Sequence, residues 1–301
     1  MIKNIFIRIG IIALVIIAIS AGIIKTSEHL SNPNTYDKST IDKENRLHTL
    51  HSPKIVFVGG SNLVFGINSK RISDSLNKPV VNMGLFASLG LDFILNEALD
   101  GIKENDIIVI SSEYYMPLEA NRKIFISLTE SNKRARSYTF NSYKDRLVNY
   151  VFKSQQSVNS IIFSLFSNKI DPIHRRDGFS IEGDLTTQLG KKNEKFSHNY
   201  GIAETDYTTE INRINQFVKE VKQKKATVYY LYPSLSNTAY KLNTTSIQHF
   251  ESKLSKELDC TVLGKPTDFV YADSLFYNTV YHLNTVGREI RTNQIIEILK
   301  K

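Results

Sequence analysis

Lys54-Ile55-Val56-Phe57-Val58-Gly59-Gly60-Ser61 (KIVFVGGS) is a β-branched apolar run halted by two glycines and a serine. Such a run without polar alternation reads as a strand buried on both faces, and Gly-Gly lets the chain turn sharply at its end. Four more short runs follow: Pro79 to Asn82 (PVVN), Asp106 to Ile110 (DIIVI), Ala226 to Leu231 (ATVYYL) and Cys260 to Leu263 (CTVL). Helical periods separate them, at Ser69 to Leu76, Leu89 to Ile102 and Glu204 to Lys225, where Ile211, Ile214, Phe217, Val218 and Val221 share a face. A last helix is expected over Thr285 to Leu299, with Val286, Ile290 and Ile298 as its apolar positions. Strands alternating with helices imply an α/β fold: a five-stranded parallel sheet covered on both faces, a three-layer α/β/α domain. The alternation lapses between about 114 and 200, where Phe125, Tyr138, Phe140, Tyr143, Tyr150, Phe152, Phe163 and Phe166 suggest a helical insertion. Two basic clusters within it, Lys133/Arg134/Arg136 and His174-Arg175-Arg176, read as a solvated face, with an anionic glycan or lipid headgroups as the alternative.

The chain has 301 residues, enough for one large domain or two ordinary ones, and its 41% hydrophobic content supports a packed core. A single cysteine, Cys260, excludes a disulfide scaffold and a thiolate metal site. The net charge of +8 would suggest nucleic acid, but Lys3, Arg8 and Lys25 supply three of those charges before any acid occurs. The remaining basic residues are interleaved with acids (Lys43-Glu44, Lys103-Glu104, Lys219-Glu220), which is a mixed solvated surface, so no nucleic-acid partner is expected.

Ile9 to Ile24 (IGIIALVIIAISAGII) carries no charge and, with the residues before it, approaches the ~20 needed to cross a bilayer. Lys3 and Arg8 precede it, whereas Glu28, Asp37 and Asp42 follow, so the positive-inside rule places the N-terminus in the cytoplasm and the rest outside. An uncleaved single-pass anchor is favoured because the apolar run is long for a signal peptide. Cleavage after Ala18-Ile19-Ser20 is the competing reading. The expected organisation is an anchor over residues 1–25, a polar linker over 26–50 and the α/β domain over 51–301. His48 and His51 lack an acidic or cysteine partner at ligand spacing and read as surface or packing residues, so no metal site is expected.

In an open α/β sheet, ligands collect at the carboxyl ends of the strands. Ser61 stands there after the first strand, and His282 lies in the loop before the last helix, a pairing that nucleophilic acyl chemistry requires. The stretch GGSNLVFGI, the stretch VVNMGL (Val80 to Leu85) and the stretch YHLNTVGREIRT together resemble the sequence blocks of the SGNH (GDSL-like) hydrolase superfamily. The likeness runs from about Lys54 to the C-terminus, especially to membrane-anchored SGNH-like proteins of bacterial envelope polysaccharide systems. The resemblance implies a flavodoxin-like sheet and needs no cofactor. It also implies Ser61 as nucleophile, His282 as general base, and Ser61, Gly84 and Asn62 as the oxyanion hole.

Two departures stand out. The third block normally supplies an asparagine, but Ser111-Ser112-Glu113-Tyr114-Tyr115 has none, which leaves Glu113 as a replacement polar group. The last block normally carries an aspartate three or four residues before its histidine, where this chain has Thr279 and Asn278. Asn278 is then the residue to orient His282 through its side-chain carbonyl, with Asp273 as an alternative if the loop folds back. Losing the acid costs about 10⁴-fold in the serine-protease case, and losing an oxyanion donor roughly 10² to 10³. Two functions follow as expectations. One is an esterase or O-acyltransferase acting on an acyl, most simply acetyl, ester of an envelope carbohydrate. The other is a catalytically silent binding protein partnering a polytopic membrane acyltransferase.

Overall fold

In the computed structural model, the strands are β1 (Ile55–Gly59), β2 (Val80–Asn82), β3 (Ile107–Ser111), β4 (Thr227–Leu231), β5 (Leu235–Ser236), β6 (Thr261–Leu263) and β7 (Val270–Tyr271). The structure describes residues 2–132, 134–138, 143–166 and 171–300. Five strands form one parallel sheet in the order β2-β1-β3-β4-β6, with β1 pairing β2 from Ile55 opposite Val80 and β3 from Ile55 opposite Ile107. Leaving aside the small β5-β7 pair, this is the doubly wound order in which the chain reverses direction between β1 and β3. Every residue of β1 is buried, as its unbroken apolar run requires for a strand covered on both faces.

The helices are α1 (Ile2–Leu30), α2 (Ser39–Thr49), α3 (Ser61–Gly66), α4 (Ser69–Leu76), α5 (Gly90–Gly101), α6 (Arg122–Ser131), α7 (Tyr143–Phe166), α8 (Thr208–Gln223), α9 (Asn237–Leu242), α10 (Thr244–Glu257) and α11 (Thr285–Leu299). α8 buries Ile211, Ile214, Phe217, Val218 and Val221, the stripe its period announces, and packs against α5. α1 is long and apolar enough to cross a membrane, and its apolar stretch stands almost wholly exposed.

Three expectations change on inspection. The polar stretch expected as a linker contains α2, which packs on α5 and β2 and buries Thr40, Lys43, Glu44 and Leu47. Its inward residues recur at helical spacing, but all except Leu47 are polar, so a search for apolar period passes over it. In α11 the inward face is Arg288, Arg291, Thr292, Ile295 and Ile296, whereas Val286 and Ile290 are exposed. Two guanidinium groups replace apolar side chains there because they have polar partners inside: Arg288 bonds the Ile67 carbonyl and Asp184, and Arg291 bonds Asn62 of α3 and Ser111 of β3. The segment from Ser180 to Leu185, within the expected insertion, is part of the α/β body. Asn82 donates its amide to the Glu182 carbonyl at 2.7 Å, and Leu185 donates to the Val64 carbonyl at 3.1 Å.

The basic clusters are largely spent on acids. Arg176 grips Asp42 with two bonds of 2.7 Å, His174 lies 3.0 Å from Asp171, and Arg175 lies 3.2 Å from Asp177. Lys133 and Phe140 lie outside the described residues, as do the side chains of Arg136, Tyr143 and Phe166.

Candidate functional site

β1 delivers Gly59 and Gly60 to the sheet's carboxyl edge, and α3 begins immediately with Ser61. The glycines are dictated by the neighbouring strand. A Cβ on Gly59 would overlap the Ser111 carbonyl, and one on Gly60 would overlap the Glu113 carboxylate. The exits of β1 and β3, which flank the reversal point of the sheet, therefore touch, and Ser61 meets Glu113 between them.

Ser61 is half-buried, and its hydroxyl donates to Glu113 Oε1 at 3.3 Å. The same oxygen accepts the Asn62 amide at 3.0 Å, while Glu113 Oε2 is buried without a hydrogen-bond partner. Burial pushes the Glu113 carboxyl above the usual carboxylate range, and the bonds from Asn62 and Ser61 only partly offset this.

His282 approaches the same short helix from the chain's other end. Its ring stacks on Phe65 with centroids 3.9 Å apart and planes 2° from parallel. Phe65 is one helical turn after Ser61, so the serine and the histidine's stacking partner share a face of α3. Among the described residues no direct hydrogen bond joins Ser61 to His282. The histidine loop is a tight hairpin: Phe276 bridges Leu283 antiparallel, and Tyr277 donates its amide to the His282 carbonyl at 2.8 Å. Thr279 Oγ1 accepts the amides of Tyr281 and His282, both at 3.2 Å. This turn sets Asn278 across from His282, with Asn278 Oδ1 2.8 Å from His282 Nδ1. An amide oxygen accepts only, so Nδ1 carries the proton and Nε2 is left with its lone pair. Loss of solvent, with the His174 imidazole nearby, pushes His282 down to about 3, and the ring stays neutral at ordinary pH.

Asp273 is elsewhere. It accepts the Thr238 amide at 3.0 Å and the Thr238 hydroxyl at 2.5 Å, capping α9, and lies 3.7 Å from His198. Burial alone would raise its pKa, but the bonds from Thr238 outweigh it and hold the group low. The expected oxyanion donors are engaged too. The Gly84 amide donates to Asn82 Oδ1 at 3.0 Å, and both nitrogens of Asn62 donate to the β3 exit, the amide to Glu113 and the side chain to the Ser111 carbonyl at 2.9 Å. The Ser61 amide opens α3, where an N–H has no acceptor one turn back.

Three residues that sequence reasoning passed over hold this corner together. Arg291 is fully buried and donates to the Asn62 carbonyl at 2.8 Å, to Asn62 Oδ1 at 3.0 Å and to Ser111 Oγ at 3.1 Å. It thereby fixes the start of α3 against β3, and burial lowers its pKa to about 10. Asp184 pairs with Arg288 at 2.9 Å and accepts from Ser69 and from Asn82 Nδ2, which orients the Asn82 carbonyl toward Gly84. Lys43, from α2, donates to the carbonyls of Asn82, Gly84 and Gly183 at 2.8, 2.8 and 2.5 Å. Arg288 and Arg291 stand in a block that the resemblance singled out, so their sequence signal was present. Lys43 and Asp184 carry none. No grouping of three or more His, Cys, Asp or Glu residues suited to a metal occurs among the described residues.

Compared with known protein families and with curated proteins, the chain matches none. Among solved structures it is similar to a family two carbohydrate esterase from Clostridium thermocellum in complex with cellohexaose, at 9% identity and a TM-score of 0.38. The similarity covers 83% of this chain and 64% of that one, so the chain spans under two thirds of its length.

Proposed function

We propose that this chain is a membrane-tethered acyl-ester enzyme of SGNH type, an esterase or O-acyltransferase, whose α/β domain faces away from the cytoplasm. Ser61 attacks the ester carbonyl. His282 Nε2 takes the hydroxyl proton and returns it to the leaving alcohol, while Asn278 holds the required tautomer. The observation that carries this reading is the Asn278–His282 bond of 2.8 Å, made on an imidazole stacked one turn from Ser61. The Ser61 amide is the first oxyanion donor, and the Gly84 amide joins it by exchanging Asn82 for substrate. An acetyl ester of an envelope carbohydrate is the substrate class, on the strength of the sequence resemblance.

The test is hydrolysis of a small acetyl ester by the full chain in detergent. Ser61→Ala and His282→Gln are expected to abolish it, and Asn278→Ala to lower kcat by about 10²-fold or more through the wrong tautomer. Because His282 sits at about 3, the acid limb of the rate profile falls well below the ordinary imidazole range of ~6.5. Equal rates for the parent and Ser61→Ala would reject the proposal.

A second reading has its own observation. The amides of Gly84 and Asn62 already have intramolecular acceptors, which suits a silent binding protein beside a polytopic acyltransferase. That reading predicts no labelling of Ser61 by a fluorophosphonate, and stoichiometric labelling eliminates it.

A further inference from the structure

α7 is amphipathic the wrong way round for a helix in water. Leu147, Val151, Val158 and Ile162 recur at intervals of four, seven and four residues, which is one stripe of an α-helix, and all are exposed, at 66, 58, 40 and 52%. Phe163, at 62%, widens that stripe. Polar side chains make its inward contacts, although Gln155 and Asn159 are exposed among the apolar residues. Ser157 is buried, the Tyr150 hydroxyl donates to the Ile17 carbonyl at 3.0 Å, and Lys153 pairs with Glu28 at 2.7 Å. Both of these partners belong to α1, against which α7 packs. In water, such an arrangement would leave a large apolar area wet and gain nothing from burial.

We infer that α7 is a second membrane-embedded helix, its Leu147–Phe163 face lying against lipid acyl chains beside α1. Two observations commit the face to lipid. Its exposed apolar surface adjoins that of α1, where Ile9, Ile11, Ile12, Leu14, Val15, Ile16, Ile17 and Ile19 are all more than half exposed. The Tyr150 contact also falls at Ile17, seven residues inside the end of the apolar run, or ~10 Å along the helix axis. If α1 crosses the bilayer, that point lies within the hydrocarbon, and Tyr150 satisfies its hydroxyl on a helix carbonyl there. α7 itself has a polar middle, Ser154-Gln155-Gln156-Ser157, so it does not span. It packs alongside α1 in the leaflet nearer the α/β domain. The pair α1–α7 then holds the domain in a fixed attitude to the membrane instead of letting it swing on a tether. This inference rests on α1 crossing the bilayer and is independent of the chemistry at Ser61.

The experiment uses the full chain with Cys260→Ser, so that single cysteines can be placed at Ile12, Val151, Ile162 and, as an aqueous control, the exposed Ser255. Each is labelled with an environment-sensitive fluorophore and reconstituted in phosphatidylcholine vesicles with or without nitroxide groups on the acyl chains. The labels at Ile162 and Val151 are expected to be quenched about as much as the label at Ile12, by roughly half, with little quenching at Ser255. Quenching at Ile12 without quenching at Ile162 and Val151 overturns the inference. So does crosslinking between copies through Ile162, which would make the face a self-association surface, and so does an unquenched Ile12, which removes its premise. The ester hydrolysis assay is unaffected by any of these outcomes, so the two readings fail separately.

Discussion

Two buried acid–base sets, Lys54 with Asp106 at the amino edge of the central sheet and Arg291 with Glu113 at the carboxyl edge, are treated in opposite ways. At the amino edge, Lys54 and Asp106 are both fully buried and meet at 2.6 Å. Asp106 also accepts the amides of Lys54 at 3.1 Å and Lys103 at 2.9 Å, and Lys54 donates to the Gly101 carbonyl at 3.2 Å. At the carboxyl edge, Arg291 bonds only to neutral oxygens and Glu113 only to neutral donors, and each leaves a buried atom unpartnered, Nε and Oε2 respectively. The hydroxyls of Tyr114 and Tyr281 are unpartnered as well. One edge joins opposite charges directly and spends them on holding strands. The other pairs Arg288 with Asp184 at 2.9 Å, but holds Arg291 and Glu113 apart on a scaffold of dipoles, an arrangement that is costly for folding.

The largest effect that could break this comparison is at the amino edge. Asp106→Ala leaves Lys54 charged and unpaired in the interior and is expected to cost about 3–5 kcal/mol, read from urea unfolding. A cost near that of an exposed pair would show that the edge is not what it resembles. Next is Gly60→Ala. The new methyl meets the Glu113 carboxylate, so a loss of about 1–3 kcal/mol is expected. Most of it should return in Gly60→Ala with Glu113→Ala, by the logic of a double-mutant cycle. Additive losses would mean that the two exits do not touch.

Glu113→Gln sharpens the contrast. Its oxygen still accepts from Ser61 and Asn62, so unfolding free energy is expected to stay within about 1 kcal/mol of the parent. A loss resembling that of Asp106→Ala would reveal an ionic partnership with Arg291 after all.

The smallest effect concerns the neighbouring buried carboxyls of Glu44 and Glu97, both raised by loss of solvent, Glu97 well above the ordinary range. A raised carboxyl pKa means that the folded state holds its proton after the unfolded chain has released it. The stability so gained is complete below the unfolded value and declines as pH rises through the folded one. Glu97→Gln should therefore leave acid-side stability within about 1 kcal/mol and flatten the decline toward neutral pH. An unchanged slope in denaturant midpoints between acid and neutral pH would contradict it.

Much of the architecture is legible from residues alone because burial on two faces forces an apolar run. β1, β2 and β3 each carry one, and the bounds of α4 and α11 fall where expected even though the inward face of α11 is not its expected apolar one. The arrangement at the site was harder to read. Asn278 reaches His282 only because Thr279 and the Phe276–Leu283 bridge close a hairpin, and nothing in the spacing of Asp273 reveals that Thr238 holds it elsewhere. Lys43 looks like any surface lysine until three carbonyls from two other segments surround it.

Sequence alone determined the parallel sheet, the apolar N-terminal helix and the placement of Ser61 at a strand exit, since all three follow from local hydrophobicity and backbone freedom. Tertiary structure decided which way α7 faces, that Glu113 takes the Ser61 hydroxyl, and that Arg291 is the residue on which α3 rests. These depend on contacts between segments tens to hundreds of residues apart, and a polar side chain gains its meaning only from the partner that replaces water around it.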